Sequence, residues 1–164
     1  MLIKHKNYLY STLLFLSRNI FFYKKVSLPD TFETRVYLMF IHFSILMIIS
    51  KNKGVKFDQK SYDYFFFNIE NDLREQGFGD IAVNKKMKDL NKILYDILLK
   101  INLEKTKKDT LKINHSLISK YFTTLKDKKQ AKYKDFEKYF INFFYFCFEL
   151  PLENMIERLL KFKL

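Results

Sequence analysis

The stretch Val36–Ile49, "VYLMFIHFSILMII", decides how the rest of this chain is read. It is the longest apolar run in the sequence, so it is either a membrane span or the centre of a folded core. A span needs roughly 18–20 apolar residues, and this run is shorter and carries His42 and Ser44. It therefore reads as a core helix, apolar nearly all round and placed at the middle of the fold. Upstream, "SLPDTFET" is a helix start. Pro29 keeps Leu28 out of the helix, Asp30 is placed to cap the first free amides, and Glu33 can reach back to the cap. The helix is expected to run to about Ser50.

With 164 residues, 48% hydrophobic and 29% charged, the chain has the means to fold and is expected to form one domain over 1–164. Three glycines and two prolines cannot supply the turns of an all-β protein. The class is all-α, a bundle of about six to seven helices. A first helix is expected over about Lys6–Lys25, where Leu9, Leu13, Leu16 and Ile20 share one face; no small-x-small cleavage site follows its apolar run, so it reads as structure rather than as a targeting segment. The chain is accordingly expected to be soluble or membrane-peripheral. Further helices are expected over about Asp58–Gln76, Ile81–Asn102, Ile113–Leu125 and Tyr133–Leu150, with a short last helix opened by Pro151. Tyr62, Phe65, Phe66, Ile69 and Leu73 should face the core, as should Ile93, Leu94, Ile97, Leu98 and Ile101. "LEKTKKDTLK", residues 103–112, reads as a charged, solvated junction, and Cys147 among aromatics as a small buried hydrophobe.

Between the third and fourth helices lies "DLREQGFGDIAV", Asp72–Val83, which holds two of the three glycines. Gly77, just past a helix end, suits the left-handed conformation. Phe78 should then pack back on Leu73, Gly79 should take a second unusual dihedral pair, and Asp80 should cap the following helix. The result is a helical hairpin turning at 77–80, not a phosphate loop, because no strand precedes it. Asp72, Arg74, Glu75, Asp80, Lys85, Lys86 and Lys88 crowd this corner as candidate partner-binding residues. Arg35, early in an apolar helix, needs a carboxylate, and Asp72 or Glu75 are the candidates. His42 is expected to be a hydrogen-bonded core histidine.

The chain carries Lys+Arg 30 against Asp+Glu 18, net +12. That charge favours an anionic partner: nucleic acid, the ribosome or an anionic membrane face. Only Arg18, Arg35, Arg74 and Arg158 are arginines, and lysine is the weaker choice for bidentate recognition, so sequence-specific nucleic-acid binding is not expected. No enzyme signature is found: His5, His42 and His115 have no metal-ligand spacing with each other or with Cys147, and no cofactor motif is present.

Two ordered blocks give the chain a family likeness. "LPDTFETRVYLMFIHFSILM", Leu28–Met47, with the entry "FYKKVSLPDT", and "FNIENDLREQGFGDIAVNKKMKDL", Phe67–Leu90, resemble the ubiquinol-cytochrome c chaperone family, assembly factors for respiratory complex III. The likeness rests on Pro29, Asp30, Thr31 and Arg35 in the first block. In the second it rests on Asp72, Leu73, Arg74, Glu75, Gly77, Gly79, Asp80, Val83, Lys85 and Lys88. It runs over about Leu9–Asn102, and the region 103–164 is not recognised. The resemblance implies an all-helical domain without catalytic activity or cofactor. It also implies binding to newly made cytochrome b, with a small helical co-chaperone and the ribosome exit region as further partners. The location implied is cytoplasmic, peripheral to the inner membrane, or the matrix side in a mitochondrion. With no long N-terminal extension, the chain is expected to be of the compact bacterial type.

Overall fold

A computed structural model describes residues 2–104 and 109–163, with side chains from Tyr8 onward. The helices are α1 (Leu2–Ser17), α2 (Ile20–Lys24), α3 (Phe32–Asn52), α4 (Gln59–Glu75) and α5 (Asp80–Leu99), then α6 (His115–Tyr121), α7 (Ala131–Phe148) and α8 (Met155–Arg158). Short 3₁₀ turns follow α6 and flank α8, and Pro151 caps the turn that leads into α8. The fold is all-helical except for one antiparallel pair, β1 (Ile101–Glu104) and β2 (Thr110–Ile113).

α3 is the axis, as the apolar run requires. α1, α5 and α7 all pack on it, while α4 bridges α1 and α5. By length and composition α3 could cross a membrane, yet two thirds of its apolar window is buried inside the protein, which accounts for its apolarity. His42 is fully buried at the centre. Its Nδ1 donates to the Leu38 carbonyl at 2.6 Å, leaving Nε2 to accept the Tyr139 hydroxyl of α7 at 2.8 Å. Burial holds the imidazole neutral and lowers its pKa to about 3, with the Leu38 bond opposing. Rings of Phe22, Phe140 and Phe143 close around it at 4.8–6.1 Å. Cys147 is buried in the same helix, α7, and burial pushes its thiol up.

Several local expectations are corrected. The first helix breaks after Ser17, whose hydroxyl bonds back to the Leu14 carbonyl. Asn19 then caps α2 by accepting from the Phe21 amide. Leu9, Leu13 and Leu16 are buried, but Ile20, beyond the break, is 60% exposed. The cap of α3 is Thr31, not Asp30: its hydroxyl oxygen accepts the Thr34 amide at 3.2 Å. Asp30 is left free to bind Arg35. The junction after α5 is a β-hairpin with Ile101 opposite Ile113 and Leu103 opposite Leu111. Its apolar residues alternate with Asn102, Glu104 and Lys112, a strand period too short to stand out among the charges. Lys105–Lys108, the middle of that stretch, lie outside the described residues, as does the side chain of His5.

Candidate protein-docking site

The α4–α5 corner is built by a complete glycine-terminated turn. Gln76 ends α4, Gly77 has φ +95°, and the two closing bonds run from the Phe78 amide to the Leu73 carbonyl and from the Gly77 amide to the Arg74 carbonyl. Gly77 thus takes the left-handed role expected of it. Gly79 does not share that role. It is extended (φ −76°, ψ 169°) and serves as the cap residue of α5. Asp80 is the first helical residue rather than the cap, and its carboxylate turns to Arg74 instead. There it still complements the positive end of α5.

The charged residues at this corner divide into two groups. Arg74 is held by Asp80 on one side and by Glu70 at 3.1 Å on the other, so its guanidinium is spoken for within the hairpin. Asp72 accepts the hydroxyl of Tyr10 and ties α4 to α1; burial first, and then Asp72, raises the Tyr10 phenol. Arg35 does not reach Asp72 or Glu75. It pairs with Asp30, five residues back, because the shifted cap leaves that carboxylate beside it. Glu75, Lys85 and Lys88 are exposed, and Lys86 lies over the Phe78 ring at 4.6 Å.

Phe78 is only partly tucked in, at 37% exposure. With Leu73 it lines a shallow cleft of about 270 Å³, completed by Phe32 and Tyr37 of α3 and Leu90 and Ile93 of α5. Glu33, Gln76, Lys86 and Asp89 form its rim. Two stretches far apart in sequence therefore meet here. The Pro29–Asp30–Thr31 entry delivers Phe32 at the first position of α3, and the Gly77 turn delivers Phe78. The cleft is smaller than the roughly 300–1,000 Å³ of small-molecule pockets. Larger hollows lie elsewhere: two, of about 750 and 630 Å³, border the β-hairpin, one of about 470 Å³ lies beside Val26 and Ser27, and one of about 380 Å³ lies between α4 and α5 at Phe67, Glu70 and Met87. Among the described residues no group of three His, Cys, Asp or Glu side chains could hold a metal ion.

A second polar centre escaped the sequence reading. Asp96 of α5 accepts from Tyr121, from Lys120 at 3.0 Å and from Lys100 at 3.0 Å, fastening α6 to α5. The Tyr121 hydrogen bond, then those of Lys120 and Lys100, outweigh its desolvation and hold its carboxyl well below the usual range. The Tyr121 ring also meets Tyr37, 5.2 Å between centroids, beside the cleft. Nothing local announces this pairing, since Asp96 and Tyr121 are 25 residues apart. The i, i+4 spacing of Asp96 and Lys100 was the one available hint.

No curated protein and no solved structure matches the chain. The family model described as ubiquinol-cytochrome C chaperone matches residues 24–157. The match takes in both stretches that meet at the cleft, and it continues through β1–β2, α6 and α7, well past Asn102, where the likeness read from the residues stopped. It supports a role in assembly of the ubiquinol–cytochrome c reductase, exercised on protein partners. The chain belongs to the ubiquinol-cytochrome C chaperone family.

Proposed function

We propose that this protein is an assembly chaperone that holds newly made cytochrome b while the ubiquinol–cytochrome c reductase is built, acting without catalysis and as one domain. The observation that carries this reading is the convergence at one cleft of the two stretches on which the family likeness rests, within a family match over residues 24–157. An apolar helical stretch of the client would cover Phe32, Tyr37, Phe78 and Ile93, with Lys86, Glu33 and Asp89 reading its polar edge. Glu75, Lys85 and Lys88 are available around the corner, whereas Asp72, Arg74 and Asp80 serve it by holding its shape. A small helical co-chaperone and the ribosome exit region are further partners on this reading, and the place of action is the cytoplasmic face of the inner membrane, or the matrix face in a mitochondrion.

Deleting the gene should lower b-type haem in membrane difference spectra and lower reductase activity. The wild-type gene should restore both. Phe78→Asp should restore neither, although its melting temperature stays within about 3 °C of wild type because the residue is already partly exposed. Unchanged b-type haem after deletion would sink the proposal. The +12 charge favours one competing reading, a basic helical protein that binds RNA or the ribosome directly. RNA affinity falling steeply with salt, in a strain whose haem is intact, would support that reading instead.

A further inference from the structure

α5 buries Val83, Leu90, Leu94 and Ile97. On the opposite side stand Ile81, Lys85, Lys88, Lys92, Tyr95 and Leu99, spaced alternately four and three residues apart. At 3.6 residues per turn all six lie within about 40° of one line along the helix. Each is exposed, and Ile81 at 88% and Leu99 at 77% are the most exposed large apolar side chains among the described residues. The line holds no acid. Asp80 is taken by Arg74, Asp96, to one side, by Tyr121, Lys120 and Lys100, and Asp89, exposed about 80° round the helix, borders the cleft. Among the described residues none of the three lysines has an ion pair or a hydrogen bond. The outcome is a ridge about 27 Å long, cationic in the middle and apolar at both ends.

We propose that this ridge of α5 rests on an anionic membrane surface, a step that takes its setting from the chaperone reading above. The shape argues for lipid. The ridge is convex, and its apolar ends are far apart, so a protein partner would need a long groove with two matching pockets. A fluid surface conforms to a ridge without one. The chemistry agrees: lysine stems lie along the interface while their ammonium groups reach lipid phosphates. Ile81 and Leu99 enter the boundary between headgroups and acyl chains, and the exposed ring of Tyr95 lies between them at the interface. The docking cleft takes Lys86, Leu90 and Ile93 from the same helix, about 120–180° round from the ridge. A chaperone seated this way is held at the membrane while its cleft stays clear of the lipid and open to a client.

The test is flotation of the purified full chain with phosphatidylcholine vesicles, with and without phosphatidylglycerol. The wild type should float only with the anionic vesicles. Replacing the ridge lysines together (Lys85→Gln, Lys88→Gln, Lys92→Gln) should weaken binding roughly 100-fold. The same loss of charge at exposed Lys129, Lys132 and Lys134, all to Gln, should change it by no more than about twofold. Ile81→Ser with Leu99→Ser should also weaken binding, and should do so at high salt, where lysine changes matter less. If the triple ridge variant misfolds, Lys88→Gln alone serves, with a loss of about fivefold. Equal losses from the two lysine triples would overturn the proposal, as would wild type that ignores anionic vesicles or binds an acidic helical peptide through the ridge in preference to lipid. No client is present in this assay, so its outcome and that of the haem spectra are independent.

Discussion

α3 and α5 are almost the same length, 21 and 20 residues, and they pack against each other, yet they spend their side chains in opposite ways. α3 buries thirteen residues and has no polar face to speak of; its imidazole is neutral and satisfied inside the core. α5 buries four residues on one side and turns a row of lysines outward on the other. One helix holds the fold and the other presents it. The difference teaches where changes should act on stability and where on partners.

The largest effect is expected on α3. Phe43 is fully buried, with ring centroids of Phe57 and Phe65 at 5.2 and 5.0 Å. Phe43→Ala should destabilise by about 3–5 kcal/mol in denaturant unfolding. A loss under about 1 kcal/mol would break the comparison, because α3 would then not be the axis.

Next comes pH. His42 has a folded pKa near 3, below its unfolded value of 6.5. Between the two the unfolded chain takes up a proton that the folded chain refuses, so stability is full above about 6.5 and is lost as pH falls. The slope should approach about 1.4 kcal/mol per pH unit between pH 6 and 4.5. His42→Gln should flatten that slope while costing stability at neutral pH; an unchanged slope would mean some other group sets it.

The smallest effect belongs to α5. Asp96→Asn loses the charged bond from Tyr121 and two lysine pairs at a partly exposed site, and should cost about 1–2 kcal/mol. Lys92→Ala, on the same helix but unpaired, should stay within about 0.5 kcal/mol. Equal costs for the two would erase the distinction between the side of α5 that is fastened and the side that is presented.

Much of this fold was legible in the residues because its signals are local. A helix is announced by apolar spacing within two turns, and its ends by single residues such as Asp58, which accepts from the Lys60 and Ser61 amides as α4 begins. Gly77 was readable because a left-handed position next to an apolar pair has one ordinary meaning. The misreadings were local too, but close contests: Asp30 and Thr31 are adjacent capping residues, and Gly79 and Asp80 are adjacent candidates for the start of α5. In each pair the structure chose the other role. The β-hairpin was hidden because four-residue strands give periodicity too little length to register.

The sequence by itself determined the helical class, the central place of the apolar run, the glycine turn of the hairpin and the buried state of His42 and Cys147. Each follows from composition or from residues within a turn of one another. Only the tertiary structure decided that Arg35 binds Asp30, that Tyr10 holds Asp72 across 62 residues, that Asp96 gathers Tyr121 and two lysines, and that Phe32 and Phe78 share one cleft. A charged or aromatic side chain has several possible partners in a chain this rich in both. Which one it meets depends on how whole helices cross, and that is settled by burial of their apolar faces, not by the pair itself.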